Sequence, residues 1–261
     1  MLQLLRRNLH IILLLALATV ACFLYLNVGA LYYDEAIYAQ VSKEIVRNNE
    51  WITLHWNGAL WFHKPPLYFW ATALLFKVFG PSEFCARFFS AASGVGSVAF
   101  TALIATYLRD RRAGFLAGLI LISSALFVFN ARHGMTDVTL TFFTLLAGYS
   151  YLRSQMQPRF WLLTGFACSL AVLTKGAAGI IPPGVIVLSL IFDRRLKDLP
   201  LKQFTAGVVV FLVLTASWHL VLIVLHGRTF VDEYFFRHVL QRSTADLHNY
   251  HYGPFFYFGV F

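Results

Sequence analysis

Asp34 and Glu35 are the residues best placed to do chemistry. They are adjacent carboxylates in Tyr33-Asp34-Glu35-Ala36-Ile37-Tyr38-Ala39, just after the first long apolar run. Acids are scarce in this chain, 12 Asp and Glu against 21 Lys and Arg. Lys64-Pro65-Pro66-Leu67 follows in the same loop. A base and a cation held close to a bilayer point to chemistry on a lipid-linked substrate.

The composition is that of a membrane protein. The chain is 59% hydrophobic and 13% charged, with a mean hydropathy of +0.66; soluble domains run near half apolar and a quarter charged. A net charge of +9 raises nucleic acid as a partner. The basic residues sit instead in short clusters between apolar runs, which is a topology signal and not a binding stripe. Cys22, Cys85 and Cys168 lie in separate apolar stretches without paired spacing. They form neither a disulfide framework nor a zinc motif and read as small buried hydrophobes.

The elements that must position the chemistry follow from the apolar pattern. Arg6 and Arg7 precede an apolar run from Ile11 to Leu26. It is long enough to span, at about 20 residues, and is read as an uncleaved first helix in preference to a cleaved signal peptide. Residues 31–81 form a long polar loop. Asp34 opens a helical pattern there, with Tyr38, Val41 and Ile45 on one face and Lys43, Glu44 and Arg47 off it, as in an amphipathic helix lying on a bilayer. Asn57-Gly58 signals a turn between two short aromatic runs. Pro65-Pro66 opens Leu67 to Phe79, which is too short to span easily.

Longer runs follow near 84–108, 113–131, 137–152, 160–192 and 204–226. The fourth exceeds one helix, and Lys175-Gly176 and Pro182-Pro183 break it into a tight hairpin of two spans. With residue 1 inside and 67–79 in the interface, the dense basic loops 109–112, 153–159 and 193–202 all face the cytoplasm, as the positive-inside rule requires. Loops 31–81 and 227–253, with Arg132 to Asp137 and Lys175-Gly176, then gather outside. Gly253-Pro254 opens a further apolar run.

The motif series is Asp34-Glu35-Ala36-Ile37-Tyr38-Ala39, Lys64-Pro65-Pro66-Leu67, Arg87, Asp137, Thr174-Lys175-Gly176, His238 with Arg242, and Gly253-Pro254. In this order it resembles the C-type integral-membrane glycosyltransferases, nearest to the lipid A aminoarabinose transferases and the protein O-mannosyltransferase-like enzymes. The resemblance covers most of the chain; each motif alone is weak, and their order is fairly specific. It implies a polyprenyl-phosphate sugar donor, an acceptor glycosylated outside the cytoplasmic membrane, and further spans and a soluble C-terminal domain beyond this sequence. There are two departures: His63 stands where the aminoarabinose transferases tend to carry an acid, and Ile37 where they often have Arg. Both count against an aminoarabinose donor and leave the general class intact.

Each candidate residue has a catalytic and a structural reading. Asp34 can take the proton of an acceptor hydroxyl as it attacks the sugar C1, or cap the helix it opens. Glu35 belongs to the substrate pocket or is a solvated first-turn acid. Tyr38, one turn from Asp34, shares the pocket or anchors at the interface. Lys64 is aimed by two prolines at a leaving phosphate or meets lipid headgroups. Asp137 contacts the sugar or pairs with Arg132. Lys175 holds phosphate or snorkels. His238 and Arg242, one turn apart, face one cavity or form a headgroup patch with Arg237. His63 and His238 can share a divalent metal, with no third ligand evident; no cofactor is required.

The expectation is an all-α polytopic membrane protein, a single transmembrane glycosyltransferase domain over 1–261 with about seven complete spans and the start of an eighth. It lies in the cytoplasmic (inner) membrane with its active site facing outside. Asp34 acts as base, Lys64, Arg242 and Lys175 bind the donor phosphate, and Glu35, Tyr38, Asp137 and His238 shape the pocket. The partners are a polyprenyl-phosphate sugar, a lipid or protein acceptor and membrane lipid, with no nucleic acid. A transporter or flippase of lipid-linked saccharides is the alternative; it would place its charges near the midplane in broken helices.

Overall fold

The computed structural model describes the backbone of residues 2–241 and the side chains of residues 9–241. Among the described residues the architecture is all-helical apart from one two-stranded hairpin. In order come α1 (Leu2–Phe23), α2 (Asp34–Asn48), β1 (His55–Trp56), β2 (Ala59–Leu60), α3 (Leu67–Phe79), α4 (Glu83–Leu108), α5 (Arg111–Ser123), α6 (Ala125–Ala131), α7 (Thr136–Ser154), α8 (Phe160–Lys175), α9 (Ile181–Phe192) and α10 (Leu201–Phe230). A π-helical segment, Val231–Gln241, closes the described chain.

Local chemistry sets these bounds. Ser82 Oγ accepts from the Cys85 N–H at 3.3 Å to start α4, and Asp110 Oδ1 accepts from the Ala113 N–H at 2.8 Å to start α5. Acids at the start of α2 and Arg47 at its end match the helix dipole. Asn57 (φ 51°) and Gly58 (φ 79°) turn the hairpin, as left-handed residues of a two-residue loop do. Glu44 was expected on the polar face of α2. It is buried instead, because its carboxylate accepts the N–H groups of Asn57 (2.7 Å) and Gly58 (3.1 Å).

By length and composition, three helical stretches among the described residues can cross a bilayer, or four if α5 and α6, bent by 72°, count as one broken span. The expectation of about seven is larger. Helices α3, α5 and α9 have 13, 13 and 12 residues, short of the roughly 20 that a bilayer requires. Helix α7 has 19 residues, but Thr136, Asp137, Thr139, Thr141 and Thr144 dilute its apolar character. The apolar stretch 160–192 nevertheless doubles back. Trp161 and Leu190 share one hydrophobic cluster, although a straight helix would separate them by roughly 43 Å. The reversal falls at the 3-10 turn Gly176–Ile180, where Gly176 has φ 56°.

Apolar burial does little to drive helices together inside lipid, so close approach and polar contacts matter more. A Cβ on Gly165 of α8 would sit on the carbonyl oxygen of Gly207 of α10, so these backbones touch only because both residues are glycine. Ser93 of α4 donates to Thr139 of α7 at 3.3 Å, and both are buried.

A second reversal matters more for the site. Gly227 interrupts the last turns of α10 with φ 53°, ψ −125°. The segment beyond folds back: the Tyr234 ring lies 5.3 Å from that of His219 and 6.1 Å from that of Trp218. In a straight helix, residues 219 and 234 would stand about 22 Å apart. Trp218 Nε1 also donates to the Ile52 carbonyl at 3.0 Å, fixing α10 against the loop after α2.

Candidate active site

A cavity of about 380 Å³ opens where these helix ends meet. Its wall brings together Asp34, His63, Lys64, Asp137, Lys175 and His238, all of them singled out from the sequence. Each comes from an element terminus or the segments around it: the first turn of α2, the loop before α3, the start of α7, the end of α8 and the segment beyond Gly227.

Asp34 is the first residue of α2 and not its cap. Tyr33 holds the cap position, and no side chain satisfies the helix N-terminus there. The carboxylate is thereby left to the cavity. Tyr38, one turn on, donates its hydroxyl to Asp34 Oδ2 at 3.4 Å and accepts from Lys64 Nζ. Lys64 Nζ lies 4.5 Å from the Tyr38 ring centroid and 3.5 Å from Thr136 Oγ1. Tyr38 is buried behind Lys64 and orients it; the phenol is not a cavity-lining residue. Thr136 escaped the sequence reading because a threonine at a helix start carries no chemical signal of its own.

Asp137 pairs with Lys175. Arg132, the partner offered by the structural reading, instead donates to the Leu24 carbonyl at 2.6 Å. Lys64 and Lys175 therefore face one cavity that also carries two carboxylates.

Glu35 departs from both readings made of it. It is 1% exposed, neither solvated nor part of the cavity. Successive helical residues point about 100° apart, which turns Glu35 into the protein when Asp34 faces the cavity. Its oxygens accept Arg87 Nε (2.7 Å) and Nη2 (3.1 Å), the Tyr32 N–H (2.9 Å) and the Gly134 N–H (2.7 Å). Burial pushes its pKa up. The Arg87 hydrogen bonds, the two backbone N–H groups and the Arg87 charge outweigh that and hold the carboxyl below its ordinary value. Arg87 spends its other donors on the carbonyls of Leu26 (3.0 Å), Val28 (2.9 Å), Gly29 (3.3 Å) and Ala30 (3.0 Å). This buried pair ties α4, the irregular segment before α2 and the turn before α7 into one frame behind Asp34.

The third ligand missing from the sequence reading is Glu233. His63 Nε2 and His238 Nε2 each lie 3.7 Å from Glu233 Oε1, and the two imidazole rings are 3.9 Å apart. The candidate ligand atoms of the three all fall within 4.8 Å of one another. Two imidazoles and a carboxylate fit a divalent cation such as zinc and leave a coordination position open. Glu233 was illegible because only the reversal at Gly227 carries it to His63. Arg242, also expected to bind phosphate, lies outside the described residues, as does Gly253-Pro254.

Residues 63–219, more than half of the chain, match the family model described as dolichyl-phosphate-mannose-protein mannosyltransferase. The chain is 31% identical over 237 residues to the undecaprenyl phosphate-alpha-4-amino-4-deoxy-L-arabinose arabinosyl transferase of Aeromonas salmonicida, covering 86% of this chain and 42% of that protein. It is 33% identical over 239 residues to an uncharacterized protein of Aquifex aeolicus, covering 89% and 48%. The crystal structure of ArnT from Cupriavidus metallidurans bound to undecaprenyl phosphate superposes with a TM-score of 0.80 at 28% identity, over 90% of this chain and 45% of that one. The chain thus spans less than half the length of these relatives. On the family match, the chain belongs to the dolichyl-phosphate-mannose-protein mannosyltransferase family.

Proposed function

We propose that the full-length protein transfers a sugar from a polyprenyl-phosphate donor to an acceptor hydroxyl or phosphate on a lipid or protein, at the outer face of the cytoplasmic membrane. The observation that carries this reading is the single cavity in which Asp34 shares walls with Lys64 and Lys175. An undecaprenyl-phosphate-dependent relative and a structural neighbour bound to undecaprenyl phosphate support the donor class.

The chemistry follows from the residues. The acceptor oxygen attacks the sugar C1 as Asp34 takes its proton. The bond from C1 to the phosphate oxygen breaks, and its electron pair stays on the departing polyprenyl phosphate. Lys64 and Lys175 stabilise that developing charge, with Arg242 assigned to the same task. A single displacement inverts the anomeric centre. Tyr38 and Thr136 fix the Lys64 ammonium; Asp137 and His238 border the sugar. Lys175 exchanges Asp137 for phosphate when the donor enters. His63, Glu233 and His238 would hold a divalent cation, which when bound adds positive charge beside the phosphate.

Charged groups at helix ends around one cavity favour an enzyme over a flippase, whose charges belong near the midplane. Mass spectrometry of lipid A, glycans and envelope proteins, from cells with and without the full-length gene, tests the activity. Loss of one sugar from one of these classes is expected; unchanged profiles contradict it. Sidedness is tested by an impermeant thiol reagent on Arg111→Cys: no labelling from outside is expected, and labelling contradicts the proposed face.

A further inference from the structure

A second cavity, of about 400 Å³, lies on the far side of the Glu35–Arg87 pair. Two backbone segments separate it from the first. Tyr32 lines it while Asp34 lines the other; His133 lines it while Met135 lines the other. Between them stands Gly134, whose N–H is bound to Glu35.

The wall carries one charge sign. Among the described residues it contains Arg87, Arg132 and His133 and no carboxylate. Arg87 is already matched by Glu35 and four carbonyls. Arg132 makes one bond, from Nη2 to the Leu24 carbonyl at 2.6 Å, out of the five N–H donors a guanidinium carries. The rim is aromatic and open: Tyr25 is 67% exposed, Tyr32 66% and Phe129 56%. The His133 ring lies 4.2 Å from that of Phe129. These residues flank the end of α1 and the bent helix α6. A guanidinium with spare donors suits a phosphate, and an exposed aromatic rim suits the headgroup region of a lipid.

We propose that this cavity binds the phosphate headgroup of an anionic membrane lipid, with Arg132 as its anchor and Tyr25, Tyr32 and Phe129 against its glycerol and upper acyl region. The site is separate from the Asp34 cavity and needs no transfer chemistry.

The test uses the full-length protein in neutral detergent, carrying Lys64→Met and Lys175→Met to silence the other cavity. Calorimetric titration with dioctanoyl phosphatidic acid should show saturable binding near one per protein. Dioctanoyl phosphatidylcholine and inorganic phosphate should each bind at least about tenfold more weakly. Arg132→Gln keeps a donor for the Leu24 carbonyl and removes the charge; it should weaken phosphatidate binding about tenfold or more. Phe129→Ala should weaken phosphatidate and leave inorganic phosphate unchanged. Phosphatidate affinity unaltered by Arg132→Gln, in protein with unchanged thermal stability, overturns the proposal. So does equal binding of inorganic phosphate, which would make the site one for free anions. Because no sugar is transferred in this experiment, its failure is distinct from failure of the enzymatic reading.

Discussion

Asp34 and Glu35 are neighbours in the first turn of α2 and occupy opposite environments. Asp34 lines the cavity, while Glu35 is buried against Arg87 and two backbone N–H groups. The pair divides into one carboxylate open to the cavity and one locked in a buried ion pair. That division sets what each substitution should do.

Glu35→Gln should destabilise the fold. It leaves the Arg87 guanidinium buried without its counter-charge, and breaking a buried pair costs about 3–5 kcal/mol. The pH dependence has a definite sign. The folded carboxyl is held below its ordinary value, so the pair's contribution is complete above the unfolded carboxylate pKa of about 4.3. It is lost as pH falls through the folded value. Thermal unfolding in detergent should show a lowered Tm for Glu35→Gln at pH 7 and a narrowing gap from the parent on acidification. A gap that is constant from pH 7 to pH 3 would contradict the account.

Lys64→Met should weaken donor binding and slow the chemical step, because phosphate charge grows towards the transition state. Lys64→Arg should rescue only in part, since a planar fork cannot take the place of a compact ammonium held between Tyr38 and Thr136. Thr136→Val should have a smaller effect in the same direction. Steady-state kinetics of the full-length protein would separate these, and unchanged kinetics in Lys64→Met would reduce the lysine to a headgroup contact.

The His63, Glu233 and His238 cluster makes a prediction independent of turnover. Purified full-length protein should bind zinc, and Glu233→Gln and His63→Ala should each lower its affinity by at least about tenfold. Equilibrium dialysis measures this directly. Identical affinities in parent and variants would show that the cluster is held by ion pairing alone.

Much of this organisation was legible because it is local. The Asn57-Gly58 turn, the helix opening at Asp34, the proline start of α3 and the doubling back near Gly176 all follow from short-range chemistry. Residue types near the apolar ends marked six members of the cavity wall. What stayed hidden depends on distant segments meeting. Glu233 reaches His63 only through the turn at Gly227, and Glu44 is buried only because a hairpin 13 residues away needs its carboxylate. The ion-pair partner of Asp137 was hidden for the same reason: the structural alternative paired it with Arg132, its neighbour in sequence, and helix packing supplied Lys175.

The most direct measurement is turnover by the full-length Asp34→Asn protein with a lipid-phosphate sugar. Asn keeps the size, and the side chain of Asp34 makes no helix cap whose loss could unfold α2. Removal of a general base costs about 10²–10⁴-fold in rate. The account predicts a loss of that order with donor binding and Tm retained. Near-normal turnover by Asp34→Asn would contradict it.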